Sequence, residues 1–345
     1  MSVATREWQL VRRPHGEPVD DDFALVTLSR PDPQPGEVVV ATIAMSVDPY
    51  MRGRMNATKS YAPSWELGET MQGGAIGRVV DSRSDDVPVG SLVLHGHGWR
   101  DVAVLPAAQV SVVQPLPGLP LSLYLGVLGM PGLTAWAGLF RLAAFTPGDT
   151  VFVSGAAGAV GSLVGQFARL RGASRVVGST GTAEKVAWLR SIGFDAAFDY
   201  HDGPVADSLA AAAPGGIDVF FDNVGGEHLE AAITSFRTFG RAALCGSISS
   251  YNATSAPPGP RNLGLVVGKQ LSLRGFIVGS HSDLRPEFVS AVSGWLRDGS
   301  LVARETVVEG LDAAVDAFRA LLSGANTGKM VVRLTPDPGP DPGRG

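Results

Sequence analysis

Cysteine is almost absent from this 345-residue chain, in which Cys245 is the only one. A lone thiol excludes an internal disulfide framework and a cysteine-rich zinc cage. Runs of positive charge are missing too. The 28 Lys and Arg are scattered, and against 33 Asp and Glu they leave a net charge of −5. Nucleic acid and anionic membrane surfaces are therefore disfavoured as partners. No stretch approaches the roughly 18 uninterrupted apolar residues of a membrane span, and the opening segment MSVATREWQL has no apolar signal core. The expected location is the cytoplasm. Only 18% of residues are charged while 45% are hydrophobic, which argues for packed cores and against disorder. The length suits two domains better than one.

What the chain has in abundance is punctuation, with 44 Gly and 24 Pro. From Trp8 to about Pro120, short β runs such as EVVVATIAMSVDP, GAIGRVVDS, VGSLVLHGHGW and DVAVLP are broken by these residues, with no long helical period. Strands that curl at glycines predict a small β-barrel-like domain. The apolar run LSLYLGVLGMPGLTAWAGLFRLAAF (121–145) carries Pro131 and Arg141 and reads as two buried helices around a Pro-Gly break.

From Asp149 the pattern alternates strand and helix. TVFVSG, RVVGST, AAFDY, IDVFFDNVG, RAALCGS and SLRGFIVG read as strands. AVGSLVGQFARLRG, EKVAWLRSIG, DSLAAAAPGG, EHLEAAITSFRTFG and EFVSAVSGWLRDGS read as helices. Such alternation is the signature of a doubly wound parallel α/β sheet of the Rossmann type. ARETVVEG, DAAVDAFRALLSG and KMVVRLT then return to strand, helix and strand. The division expected is 1–122 with 301–345 in the smaller β domain and 123–300 in the parallel one, with the Pro/Gly-rich 336–345 disordered.

VFVSGAAGAVGSLVGQ is the strongest local signal: a strand enters a Gly-rich turn and then a helix, as a dinucleotide fingerprint requires. Gly158 would let the backbone approach a pyrophosphate, and Gly161 would let helix and strand pack closely. The helix N-terminus offers free N–H groups to phosphate. In NAD enzymes an acid closes the second strand and binds the ribose 2′-OH. Here that strand ends Val177-Gly178-Ser179-Thr180-Gly181, and no acid follows until Glu184, beside Lys185. Small hydroxyl residues and a lysine suit a 2′-phosphate, so NADPH is the expected cofactor.

With these residues in view, the chain resembles the zinc-independent medium-chain dehydrogenases/reductases. The resemblance is to the leukotriene/prostaglandin reductase, alkenal double-bond reductase and curcumin reductase group. SVDPYMRGRM (46–55), GVLGMPGLTAWAGL (126–139), SGAAGAVGSLVGQ (154–166), FDNVGG (221–226), CGSISSYN (245–252), RGFIVG (274–279) and GANTGK (324–329) carry it, in family order along nearly the whole chain. DPYMRGRM (48–55), with SYNATSAPPGP (250–260), resembles the bacterial curcumin-reductase branch most.

The resemblance implies a GroES-like barrel beside the Rossmann domain, and NADPH-dependent reduction of a carbon–carbon double bond conjugated to a ketone or aldehyde. It would set Met130 and Thr134 along the nicotinamide end, and Ala157, Gly158, Val160 and Gly161 around the pyrophosphate. Ser179 and Lys185 would lie at the 2′-phosphate, and Tyr200 and Asn223 on the adenosine and ribose side. Cys245, Gly246, Ser250 and Tyr251 would cover the nicotinamide, with Phe276 and Val278 beside it. Asn326 would reach the cofactor from the C-terminal segment. Tyr50 and Tyr251 would face the substrate in a cleft between the domains and donate to the developing enolate oxygen.

Blander roles stay open for several of these. Asn223 could serve a left-handed turn, Tyr200 could be a core aromatic, either tyrosine could anchor its own loop, and Arg52 could be a structural pair. Cys245 reads as a small hydrophobe rather than a nucleophile. No metal site is expected: where zinc-bearing relatives have a Gly-His-Glu segment this chain has LGETMQGG (67–74), and the pair His95/His97 lacks a third ligand nearby. A quinone reductase on the same fold, or an NADPH-binding protein without turnover, are the alternative functions. Pairing of RGFIVG edges across a twofold axis would give a homodimer.

Overall fold

The computed structural model describes residues 2–58 and 60–337. The tail expected to be disordered lies, from 338 onward, outside them. The chain divides into two units, the first running to Leu125 and adding Thr306–Asn326 and the segment from Met330, the second comprising Gly126–Glu305 with Thr327–Lys329. Among the described residues no helix is long and apolar enough to cross a membrane.

In the first unit, β1 (Ser2–Leu10) pairs antiparallel with β2 (Phe23–Pro31). There follow β3 (Glu37–Ser46), a short helix α1 (Tyr50–Arg54), β4 (Ala75–Ser82), β5 (Leu92–His95), β6 (Val102–Pro106) and β7 (Ser111–Val112). The run VVVATIAM makes β3 a strand buried along nearly its whole length. Only a strand covered on both faces reads as continuously apolar.

The second unit opens with α2 (Met130–Trp136), which continues as a π-helix over Ala137–Leu142. The Pro-Gly pair expected to break two helices instead begins one. Pro131 lies in the first turn, where its missing N–H costs no hydrogen bond. Next come β8 (Thr150–Val153), α3 (Gly161–Leu170), β9 (Arg175–Thr180), α4 (Ala183–Ser191), β10 (Ala196–Asp199), α5 (Val205–Ala212) and β11 (Ile217–Asp222). The unit ends with α6 (Gly226–Ser235), β12 (Phe236–Leu244), α7 (Gly264–Gly268), β13 (Ser272–Gly275) and α8 (Arg285–Arg297).

The six strands run β10-β9-β8-β11-β12-β13, every pair parallel. This is the doubly wound order, reversing beside β8. Two expectations are corrected here. FRTFG belongs to β12 and not to the helix before it, because Phe236 is buried in the core that α5 and α6 share with the sheet. Of SLRGFIVG only Ser272–Gly275 pairs, so Phe276 and Val278 lie beyond the strand.

Three last elements, β14 (Glu305–Glu309), α9 (Ala314–Leu322) and β15 (Lys329–Arg333), complete the first unit's sheet in the order β14-β15-β3-β4-β5-β7. One edge of β3 follows β4, while its other edge is shared by β6 over Glu37–Ala41 and β15 over Ala44–Ser46. Among the described residues the barrel expected from the sequence is not closed. A spine with three partners makes the sheet branch, and its path ends openly at β14 and at the two-residue β7. α9 buries Val315, Phe318 and Leu321 in a core with Met45 and Trp99, the Phe318 ring meeting Trp99 edge-on at 6.0 Å.

Beneath the β1–β2 pair lies Glu7, with no solvent exposure. Arg30 donates to its two oxygens at 2.9 and 2.6 Å, Arg100 approaches at 3.4 Å, and the Thr70 hydroxyl donates as well. Burial pushes the Glu7 carboxyl up, but the bonds from Arg30 and Thr70 and the Arg100 charge outweigh it and hold it below the usual range. A carboxylate depressed on folding adds stability above its unfolded pKa and loses it as pH falls through the folded value. Glu7→Gln should cost about 3 kcal/mol at pH 7, as breaking a buried pair does, and the deficit should shrink in acid. Urea unfolding at pH 7 and pH 3 measures both; equal midpoints at pH 7 would show that the cluster contributes no net stability.

Candidate functional site

In a parallel sheet all the strands deliver their carboxyl ends to one edge, and in the second unit most of the chemistry-bearing residues lie there. β8 passes into the turn Ser154–Val160 and then α3. Gly155 takes φ +56°, which L side chains rarely adopt. A Cβ on Gly161 would fall 2.5 Å from Gly155 O and 2.8 Å from Ala156 Cα, so only glycine lets the helix meet the turn. At Gly158 an added Cβ would meet only Gly155 O, at 3.3 Å. Its open side is the space a phosphate needs at a helix N-terminus.

The turn is clipped on three sides. Ala156 N–H donates to Ser179 O at 2.9 Å, Ser154 N–H to Phe221 O at 3.1 Å, and Gly328 N–H to Ala157 O at 2.8 Å. Gly328 belongs to GANTGK, so that motif reaches the fingerprint through its backbone.

The residue holding most of this edge is Asp222, singled out by nothing in the sequence beyond its place in FDNVGG. It is 2% exposed. Its Oδ1 accepts the Ser154 hydroxyl at 2.8 Å and the N–H groups of Val224 and Gly225 at 3.0 and 2.9 Å. Its carbonyl accepts from Cys245 and Gly246 at 2.8 and 3.1 Å. Burial raises the Asp222 carboxyl, and the bonds from Gly225, Val224 and Ser154 pull it back in part. Asn223 completes the join: its N–H donates to Ser154 Oγ and its side-chain amide to Ser154 O, both at 2.8 Å.

The loop after β12 lies on this platform, with Ile248 N–H donating to Asn223 O at 3.2 Å and the Ser250 hydroxyl to Ser247 O at 2.8 Å. Burial pushes the Cys245 thiol up to about 12, which suits a small buried side chain and not a nucleophile. The Tyr251 phenol is raised by burial, partly offset by a backbone hydrogen bond at Ser247. Its hydroxyl lies 3.1 Å from where a Cβ on Gly246 would stand, so it turns back on its own loop.

At the ends of β9 and β10, Tyr200 and His201 flank Gly181; a Cβ there would meet the Tyr200 hydroxyl at 3.0 Å and the His201 ring at 3.2 Å. Lys185 stands in the first turn of α4, which Thr182 caps through the Lys185 N–H. Burial lowers the Lys185 ammonium. Sequence reasoning found no acid at the end of the second strand, yet Asp199 lies directly beside Thr180 in the sheet register. Its Oδ1 is engaged by His201, through the backbone N–H and ring Nδ1, both at 3.0 Å. Only strand pairing, invisible in a linear reading, brings that acid there.

The remaining expected residues differ in what they offer. The Ser179 side chain is fully buried, and its hydroxyl finds no partner among the described residues. Thr134 spends its hydroxyl on Met130 O at 2.8 Å, while Met130 itself is exposed. Phe276 packs edge-on against Phe221 at 6.3 Å, with the half-buried Val278 two residues on.

In the first unit, Asn326 is buried and Tyr50 opens α1, half-buried. Burial, with the Asp48 charge, raises the Tyr50 phenol, against which Arg54 acts. Arg52 donates to Gly16 O at 2.8 Å and to Asn56 Oδ1 at 2.8 Å, a structural clasp. His95 is buried and lowered to about 3 by desolvation, with Nδ1 accepting from His97 N–H at 3.2 Å. Among the described residues no three His, Cys, Asp or Glu side chains gather as a metal site would need.

Known proteins are similar along nearly the whole chain. Residues 6–113 fit the family described as the N-terminal domain of oxidoreductase, and residues 159–293 fit the one described as zinc-binding dehydrogenase. The NADPH-dependent curcumin reductase of Escherichia coli is 40% identical, over 96% of this chain and 97% of that protein. Prostaglandin reductase 1 of Bos taurus is 41% identical over 96% and 99%. The crystal structure of CurA from Vibrio vulnificus in complex with NADPH superposes with a TM-score of 0.91 at 40% identity, covering 96% of this chain and all (100%) of that one. The chain belongs to the zinc-independent medium-chain dehydrogenase/reductase group that includes the curcumin and prostaglandin reductases.

Proposed function

We propose that this chain is a cytoplasmic, metal-independent, NADPH-dependent reductase of the carbon–carbon double bond of α,β-unsaturated ketones and aldehydes. The observation that carries the reading is the full-length similarity, at 40% identity, to an NADPH-dependent curcumin reductase and to a structure holding NADPH. The glycine turn at 154–161, with its open side at Gly158, has the form such a cofactor needs.

When bound, NADPH supplies a hydride for the β-carbon of the enone. Ala157, Gly158, Val160 and Gly161 would hold its pyrophosphate; Lys185 its 2′-phosphate, with the buried Ser179 behind it; Tyr200 and Asn223 the adenosine and ribose side; Cys245, Gly246, Ser250, Phe276 and Val278, with Met130, Thr134 and Asn326, the rest. The first unit would be the GroES-like substrate domain. Tyr50 and Tyr251 donate hydrogen bonds to the carbonyl oxygen as it gains negative charge, and solvent protonates the α-carbon.

Lys185 meets the phosphate as a point charge, so NADPH should bind at least about tenfold tighter than NADH, about 1.4 kcal/mol. Lys185→Ala should erase most of that margin. Fluorescence titration with both nucleotides decides it, and equal affinities in the unaltered protein would refute the cofactor assignment.

The reaction class is read from NADPH oxidation across alkenals, enones, 15-keto-prostaglandins and simple quinones, with and without EDTA. Enone turnover that survives the chelator is expected. Oxidation with quinones alone would make the chain a quinone reductase, and binding without any oxidation would make it a non-enzymatic NADPH protein. In the same assay Tyr251→Phe should slow turnover and leave NADPH affinity nearly intact; full activity would mean the hydroxyl only fastens its loop.

Among the described residues the outer edge of β13 has no partner strand, and Leu263, Val267 and Ile277 around it are exposed. An uncovered edge beside apolar side chains favours pairing, and a homodimer through β13 follows. Solution scattering should return twice the 35.8 kDa chain mass; a monomer would overturn this.

A further inference from the structure

Arg54 closes α1 four residues after Tyr50, which places the two side chains on one face of the helix. Its partners are all neutral. Nε donates to Pro63 O at 2.8 Å, Nη2 to Gln72 Oε1 at 3.0 Å, and the guanidinium lies 5.0 Å from the centre of the Trp65 ring. The backbone N–H of Trp65 in turn donates to Arg54 O at 2.7 Å. One helical turn before it stands Tyr50, on whose phenol the guanidinium acts.

Among the described residues no carboxylate pairs with Arg54, although burial acts against its charge. A guanidinium does not shed its proton in proteins, so the half-buried site keeps an uncompensated positive charge beside a phenol. The other groups facing that phenol, Asp48 and Tyr61, act on it in the opposite sense. Holding a charge without a counter-ion is costly.

We propose that Arg54 is a positioning residue for the reduction, acting through Tyr50. With its charge one helical turn away, it favours negative charge at the phenol oxygen and so a Tyr50 proton given to the substrate. The inference rests on the reading of Tyr50 as a donor to an enone.

The test is a double-mutant cycle on kcat and KM for an enone, with NADPH affinity titrated alongside. Arg54→Gln should lower kcat about 10- to 100-fold, the scale of losing part of an oxyanion-stabilising set, with NADPH affinity unchanged within twofold. In a Tyr50→Phe background the same substitution should have almost no further effect. Arg54→Lys, which keeps the charge but loses the fork to Pro63 and Gln72, should retain kcat within about threefold while unfolding at lower temperature.

Equal losses from Arg54→Gln in both backgrounds would overturn the proposal, since a merely structural role ignores the hydroxyl. So would a folded Arg54→Lys protein as slow as Tyr50→Phe, which keeps the test decisive if Arg54→Gln does not fold. An unaltered protein that reduces no enone would remove the functional reading itself. Enone reduction that is indifferent to Arg54 would remove this inference alone.

Discussion

One carboxylate oxygen organises the carboxyl edge of the parallel sheet. Oδ1 of Asp222 takes the Ser154 hydroxyl and two successive backbone N–H groups, while the carbonyl of the same residue takes two more from the loop after β12. The turn after β8, the turn after β11 and the loop 245–251 are thus fixed to one residue. Each is irregular backbone whose polar groups could not go unpaired when buried. Without that acceptor the glycine turn would lose the flank that Ser154 supplies, and the loop bearing Tyr251 would lose its floor. The position of α3 relative to the sheet then depends on Gly161, where backbone stands so close that a methyl group would have no room.

Periodicity made most of this architecture legible beforehand, because hydrophobic alternation reports which face a segment buries and the parallel strands are buried on both. The failures fall where two signals compete. Phe236–Gly240 continues a helical-looking run, but the Phe236 side chain is worth more in the core between helices and sheet than in an extra turn of α6. At Pro131 the same residue type that ends a helix also starts one, and only the flanking chain decides which. The closed barrel failed for a different reason. Strand count and glycine content are compatible with closure or branching, and the choice depends on β3 accepting three partners, a long-range pairing that no local window contains.

The candidate site was legible to the extent that its residues announce a backbone requirement. Gly155, Gly158 and Gly161 do so, since their role is the absence of a side chain at a set spacing. Asp222 and Ser154 do not, because an Asp that closes a strand and a Ser that follows one are ordinary residues until their neighbours are known. Asp199 shows the same limit from the other side: an acid stands next to Thr180 through strand pairing, nineteen positions away in sequence, and His201 occupies it. The absence of a carboxylate after β9 is therefore a statement about one strand and not about the whole edge.

Three buried or half-buried charges in this fold are treated in three ways, and the contrast separates stability from chemistry. Glu7 is met by Arg30 and Arg100, so the penalty of removing it from water is offset by opposite charge. Asp222 is met by N–H and O–H donors, which stabilise a carboxylate without a countercharge but leave its proton affinity raised. Arg54 is met by a carbonyl, an amide and an indole face, none of which cancels its charge. Selection for stability alone favours the first solution, or replacement of the ion by an apolar group. A charge maintained among neutral partners retains a field at its open side. In the first unit that field acts on Tyr50 against the larger effects of burial and Asp48, on the group the enone reading requires to face a growing negative charge.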